Sequence, residues 1–381
     1  MIIHFIHSPV SAKRFVEPLV NALNDAGFTA ELWLENRTQL ADFTSAITCP
    51  KQFAKFDISV NPFAAVKNIL SLTRRLKSIK PEAIHAHQSR ASVIPLLSAL
   101  LAKVPIRIYH NHGTPYLGYK GVRKWGLWLL EFLNCFLATN VLTVAPTIRK
   151  KMVEDKIVSE KKALCLGAGS VCGVDLDEFK IEKFSDESRR KERQKLNIPQ
   201  NAFAVLYVGR PFIRKGFNTL LKAWDIFCRM QPSAEKLLLT AGCDLADIVK
   251  TQGSCPPTIS PLGYVTDIHR YYAACDVVTL PSWHEGMPYS LLEAAAAKRA
   301  IVASNIPGIN SLIKHNQTGL LAEPKDADGF AQAFNLLFTQ PQLRAELAAN
   351  ALLGIEKYFD RKICTKLLID YYHNIGIKPK K

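Results

Sequence analysis

At 381 residues the chain exceeds one typical domain and suits two. Hydrophobic residues make up 48% of it, enough for sizeable cores, but the longest apolar stretch, 126–137, is broken by Glu131 and Asn134 and falls short of the ~20 residues of a membrane-spanning helix. The formal net charge of +16 is concentrated early: residues 1–170 carry 22 Lys and Arg against 11 Asp and Glu, leaving 27 against 22 for the rest, an imbalance that points to an anionic partner.

In chain order, the first half reads as strands at 2–6, 28–33, 83–87, 106–110, 141–144 and 163–166. Helical periodicity falls at 14–26, 64–79, 91–103, 122–138 and 146–156. The opening MIIHFIHSP is short and lacks a cationic head, so it reads as a first strand rather than a signal peptide. The stretch 116–133 sets Lys120, Arg123 and Lys124 beside Trp125, Leu127, Trp128 and Leu129. That mixture suits an interfacial segment on an anionic membrane; a core helix with a basic flank is the other reading. A highly charged stretch, 180–195, separates the halves, and the linker is placed at 173–185. The second half reads as strands at 203–209, 236–241, 276–280 and 300–304, with helices at 215–230, 266–275, 288–298, 326–338 and 341–356. Alternating strands and helices predict an α/β protein with parallel sheets. Two doubly wound domains would each offer a ligand crevice at the carboxyl ends of their strands. Nine scattered cysteines without a C-x-x-C pair read as reduced cytosolic thiols rather than disulfides or zinc ligands. No nucleic-acid motif accompanies the basic residues.

The densest chemistry lies in 276–308, DVVTLPSWHEGMPYSLLEAAAAKRAIVASNIPG. A strand ends in a loop carrying Glu285 and Gly286, and a helix opens near Pro288 with Glu293 on it. Backbone N–H groups at a helix start suit a diphosphate, and proline is tolerated in the first turn. Ionised carboxylates accept hydrogen bonds and so suit hydroxyls, not phosphates. A phosphate cradle flanked by two such acids reads as a nucleotide-sugar site.

Pro281-Ser282, Glu285-Gly286, Glu293 eight residues after Glu285, and Pro307-Gly308 resemble in order and spacing the signature of the retaining glycosyltransferases of GT-B fold, family four. The resemblance implies two Rossmann-like, doubly wound domains facing an interdomain cleft. The expected divisions are an acceptor-binding domain at 1–175, a nucleotide-sugar-binding domain at 176–358 and a last helix at 359–381 crossing back to the first. It implies a cation pair for the diphosphate at Arg210 and Lys215 in VGRPFIRKGF, base contacts at Tyr264 and Val265, and donor contacts along Glu285, Gly286, Met287, Pro288 and Tyr289. Glu285 would take donor-sugar hydroxyls and Glu293 the ribose. His112, with His110 as its rival, would lie near the donor sugar and its phosphate, where a ring N–H could donate; His85 and His87 are expected to pack or cap. Catalytic roles fall to His112, Glu285, Arg210 and Lys215. The family's glycine-rich first loop is here SPVSAKRF, without glycine, so Ser8, Ser11 or Lys13 would substitute.

The implied activity is transfer of a hexose or N-acetylhexosamine, with retention, from a nucleoside-diphosphate sugar to a hydroxyl of a surface polysaccharide or lipid-linked glycan. A UDP-sugar is favoured over a GDP-sugar, with no cofactor and no metal. The expected location is cytoplasmic, peripheral on the inner face of the cell membrane. The alternatives are another sugar-nucleotide enzyme of the fold, an epimerase or phosphorylase, or a non-catalytic membrane or nucleic-acid scaffold. Asp175-Leu176-Asp177 spells the acid pair of metal-dependent transferases of another fold, but it lies in GVDLDEF, which resembles the family's linker. GAGSVCG at 167–173 misplaces its third glycine for a dinucleotide fingerprint.

Overall fold

The computed structural model describes residues 1–35, 45–56, 61–179 and 181–379. The chain forms two compact units, Met1–Gly173 with Arg361–Lys381, and Val174–Asp360. Each is a parallel sheet flanked by helices.

In the first unit seven parallel strands run β3-β2-β1-β4-β5-β6-β7. They are β1 (Ile2–Ile6), β2 (Ala30–Glu35), β3 (Lys51–Ala54), β4 (Ala83–His87), β5 (Ile106–Asn111), β6 (Asn140–Thr143) and β7 (Ala163–Leu164). Helices α1 (Glu17–Asp25), α2 (Pro62–Ile79), α3 (Ser89–Leu101), α4 (Gly121–Leu137) and α5 (Pro146–Glu154) link them. The central strands are buried on both faces, as parallel strands covered by helices must be. The glycine-free loop does not stay open. Ser8 caps a short turn at Pro9–Ser11, and a π-helical turn at Ala12–Val16 leads into α1. Lys13 pairs with Glu17 at 3.0 Å and donates to the Ala46 carbonyl, so its charge is spent inside the unit.

Helix α4 inverts the usual amphipathic rule. Its buried positions are Glu131, Asn134 and Cys135, while Val122, Trp125, Leu129, Leu133 and Phe136 are exposed. Glu131 accepts from Tyr109 at 2.6 Å, Asn111 at 3.0 Å and Ser89, and Asn134 donates to the Ser89 carbonyl. The polar face is therefore the docked one. Of the apolar residues in 116–133, Trp125 and Leu129 face outward, Leu127 and Trp128 are half-buried and Tyr116 is buried.

In the second unit six parallel strands run β10-β9-β8-β11-β12-β13. They are β8 (Phe203–Val208), β9 (Lys236–Ala241), β10 (Ile259–Gly263), β11 (Val277–Leu280), β12 (Ala300–Ser304) and β13 (Leu320–Ala322). The helices are α6 (Asp186–Lys195), α7 (Phe217–Met230), α8 (Leu245–Gln252), α9 (His269–Ala274), α10 (Tyr289–Ala296), α11 (Ala327–Thr339) and α12 (Pro341–Tyr358). The charged stretch read as separating the halves is largely α6; Lys180 at its start lies outside the described residues. Arg193 of α6 is fully buried, donating to Asp276 at 2.9 Å and to four backbone carbonyls. The last helix, α13 (Arg361–Asn374), belongs to the first unit.

Candidate functional site

Strand β8 pairs with β9 on one side and β11 on the other. This is where the winding direction of the second unit reverses, and α/β sheets bind ligands at the carboxyl ends of strands beside such a point. Arg210 lies just past β8 and Glu285 just past β11, so the switch point gathers both loops. A one-turn helix, Ile213–Lys215, follows Arg210, and Gly216 then takes φ +72°. A Cβ there would fall 1.8 Å from the Pro281 carbonyl oxygen. Only glycine lets the two loops touch, and the Trp283 N–H donates to the Arg214 carbonyl across the same seam. Gly308, at φ +92°, does the same on the other side: its Cβ would lie 1.8 Å from the Gly286 oxygen.

Lys215 Nζ lies 2.6 Å from Glu285 Oε1, with the two side chains 24% and 11% exposed. Burial alone would raise the Glu285 carboxyl, but the Lys215 charge and hydrogen bond outweigh it and hold it below its usual range. The site therefore carries a preformed, half-sheltered ion pair. Arg210 is exposed, its guanidinium 4.7 Å above the Phe212 ring. His284, next to Glu285, is pushed down to about 4 mainly by burial.

Pro288 is the N-cap of α10, at φ −72° and ψ 119°, rather than a residue of its first turn. No side chain caps the helix, so its first N–H groups are those an anion would meet. Met287, Pro288 and Tyr289 are buried. Glu293, on α10, is 7% exposed and accepts from Tyr272 of α9 at 2.9 Å. The Tyr272 oxygen also lies 3.2 Å from the Ser290 carbonyl oxygen, a second acceptor within reach of its single proton. No spacing in the sequence marks Tyr272 as the residue orienting Glu293. Tyr264 is 73% exposed on the loop after β10 and Val265 is half-buried beside it. The structure thus brings Arg210, Lys215, Glu285, Gly286, Met287, Pro288, Tyr289 and Glu293 around one switch point. Tyr264 and Val265 follow the strand at the end of the same sheet.

His112 lies in the other unit, after β5. It is half-buried, and its Nε2 is 3.1 Å from His87 Nδ1. Burial lowers it to about 4. Among the described residues, the groups able to hold a metal jointly are His4-His85-His87 and His87-His110-His112. The first three rings lie within 13–30° of parallel. Asp175 Oδ1 instead accepts from the Asp177 N–H in a local turn.

Two family models match this chain. "Glycosyl transferases group 1" covers residues 188–353, the span holding the switch-point cluster, and "Glycosyltransferase Family 4" covers residues 12–164. The chain belongs to the family-four glycosyltransferases. It is 24% identical over 325 residues, 84% of its length and 83% of the relative's, to a capsular polysaccharide biosynthesis glycosyltransferase, CapM, of Staphylococcus aureus. It is 24% identical over 375 residues, 95% and 96% of the two chains, to the N,N'-diacetylbacillosaminyl-diphospho-undecaprenol alpha-1,3-N-acetylgalactosaminyltransferase of Campylobacter jejuni. The crystal structure of Anabaena HepE in complex with UDP and glucose superposes with a TM-score of 0.78 at 18% identity, over 98% of this chain and 99% of that one. The two chains share the fold described above.

Proposed function

We propose that this glycosyltransferase moves a hexose or N-acetylhexosamine, with retention, from a UDP-sugar to a hydroxyl of a lipid-linked glycan or growing polysaccharide. The observation that carries the reading is the Lys215–Glu285 pair at the β8–β11 switch point. It holds a cation for a diphosphate and a carboxylate for sugar hydroxyls side by side. When a diphosphate takes Lys215, Glu285 is released to accept from the donor sugar. Arg210, Lys215 and the N-terminus of α10 stabilise the leaving diphosphate as its charge grows, and such pre-aimed charge lowers the barrier. Backbone groups of Gly286, Met287, Pro288 and Tyr289 line the diphosphate, and Glu293, oriented by Tyr272, holds the ribose. Tyr264 and Val265 flank the base, and His112 meets the donor sugar. With two cations and a helix N-terminus at the diphosphate, turnover is expected to persist in EDTA. The bacterial relatives named above support the lipid-linked or capsular acceptor, and the UDP-bound neighbour supports the nucleotide.

A thermal-shift screen tests the donor. UDP and one UDP-sugar should raise the melting temperature of the wild type, because ligands that bind only the folded state stabilise it. Lys215→Met should abolish the shift. No response to any nucleoside diphosphate at millimolar concentration would overturn the reading. NMR of the product anomer then tests retention.

The outward face of α4 supports docking on an anionic bilayer. Val122, Trp125, Leu129, Leu133 and Phe136 form an exposed stripe at helical spacing, with Lys120, Arg123 and Lys124 at its start. Among the described residues no helix is long and apolar enough to cross a membrane; apolar groups beside cations suit its surface. Sedimentation with anionic liposomes should show binding that falls with salt and with reversal of Arg123 and Lys124. Salt-insensitive binding, or none at low salt, would overturn it.

A further inference from the structure

Five of the ten histidines meet in the first unit. The register pairs His4 with His85 and His87 with His110, and alternate residues of a strand share a face. One face of the sheet therefore carries imidazoles where aliphatic side chains usually stand. They are joined end to end. His112 Nε2 is 3.1 Å from His87 Nδ1, and His87 Nε2 is 3.1 Å from His4 Nδ1. His4 Nε2 is 3.4 Å from the Tyr372 phenol oxygen, which lies 2.6 Å from His85 Nδ1. His85 Nε2 is 3.2 Å from His110 Nδ1. Tyr372 comes from α13, at the other end of the chain from β1.

Every link joins an Nε2 of one ring to an Nδ1 of the next, or to the phenol. A neutral imidazole has one N–H and one lone pair. If each link holds one proton and the Tyr372 hydroxyl donates within the chain, all five rings share one tautomer. In the all-Nε2–H state, Tyr372 donates to His85 and His112 Nδ1 is a lone pair. In the all-Nδ1–H state, Tyr372 donates to His4 and His112 Nδ1 carries the proton. Any mixture puts two protons, or none, into one buried link, or turns the Tyr372 hydroxyl away from both rings, and each of these costs a hydrogen bond. The two phenol distances select between the states. At 2.6 Å the Tyr372 oxygen is at normal O–H···N range from His85, whereas 3.4 Å to His4 suits only a weak accepted bond.

We propose that Tyr372 is a positioning residue that locks this chain of five neutral imidazoles into the common Nε2–H tautomer, so that His112 presents an acceptor, Nδ1, at the carboxyl end of the sheet. His112 then takes a hydrogen bond from a hydroxyl and cannot donate to phosphate from that atom. Burial supports the neutral forms: it lowers His4 to about 3 and His112 to about 4 and drives the other three well below the usual histidine range. The consequence for turnover rests on His112 facing the donor sugar; the chain of tautomers does not.

Long-range proton–nitrogen NMR of the full-length protein, labelled with 15N-histidine, tests both parts. Five imidazoles with protonated Nε2 and bare Nδ1 at pH 7 are expected. Tyr372→Phe removes the link between the two halves of the chain, so at least one of His4 and His85 should change tautomer or exchange between both. Mixed tautomers in the wild type would overturn the proposal without any variant. So would an unchanged pattern in folded Tyr372→Phe, or a transition metal retained at one equivalent and stripped by a chelator with loss of the pattern. Kinetics separate the second part. Tyr372→Phe should lower kcat about tenfold with donor KM little changed. If the tautomers shift while kcat does not, the relay stands and the placement of His112 at the sugar falls.

Discussion

Glu285 and Glu293 are both partly sheltered carboxylates, yet their partners differ in kind. Glu285 faces a cation that a diphosphate would claim, whereas Glu293 accepts from a neutral phenol. Glu285→Gln should therefore lower kcat, because its contacts strengthen as the transferred sugar gains positive charge. Glu293→Gln should weaken UDP binding by roughly 1.5–3 kcal/mol, the worth of a hydrogen bond to a charged group, and appear in Kd more than in kcat. Calorimetry and initial rates on both variants check this; reversal of the two patterns would exchange the roles. Because Lys215 and Glu285 touch, their substitutions should be non-additive. Gly308 sets the position of the whole loop. Gly308→Ala must leave φ +92° and move its Cβ away from the Gly286 oxygen. A loss of at least about 1 kcal/mol in denaturant-measured stability is expected, with weaker UDP binding because the 285–286 backbone shifts. Unchanged UDP affinity in a destabilised variant would detach this loop from the site.

At the scale of elements, the sequence was legible wherever period and burial agreed. The central strands and the long helices follow apolar patterning, and β1, β4, β9 and β12 occupy the residues expected. Elements without that pattern were not legible. β3 is a half-exposed edge strand, β10 contains Pro261, β13 has only three residues, and α6 is nearly all charge. The switch-point residues were readable because loop chemistry is local. Tyr272, Gly216 as a contact point and the Tyr372 link were not, since each depends on a partner distant in sequence. Helix α4 shows how tertiary context overrides a pattern: its apolar side faces out because Glu131 is held inside by Ser89, Tyr109 and Asn111. Burial raises Glu131 from 4.5 to about 7, against the lowering effect of those three donors. The folded state thus binds a proton that the unfolded state has already released between about pH 4.5 and 7. Its contribution is fully present below pH 4.5 and is lost as pH rises through 7. At ~1.4 kcal/mol per pKa unit the change is of order 3 kcal/mol. Urea unfolding at pH 5 and pH 8 should show a steeper fall for wild type than for Glu131→Gln; equal slopes would remove Glu131 as the cause.

At the scale of the whole molecule the second unit is continuous in sequence, but the first is closed by a segment 187 residues further on, Arg361–Lys381. Val174 pairs with Asp360 in an isolated bridge inside the second unit, so the chain leaves and re-enters the first unit at neighbouring points. Ending the chain at Asp360 should therefore damage one unit and spare the other. It removes Cys364, Leu368, Tyr371 and Tyr372, all buried, and each large apolar side chain among them contributes about 1.5–3 kcal/mol on burial. It also leaves His4 and His85 without the Tyr372 phenol, and unsatisfied buried polar groups add to the cost. The second unit keeps its sheet, the Arg193–Asp276 pair and the whole switch-point cluster. Calorimetric unfolding of the truncated chain should show the first unit melting well below its wild-type temperature or already unfolded. UDP should still raise the melting temperature of the second unit, and catalytic turnover should be lost. Loss of UDP binding together with turnover would mean that the nucleotide depends on the first unit as much as on Arg210, Lys215, Glu285 and Glu293.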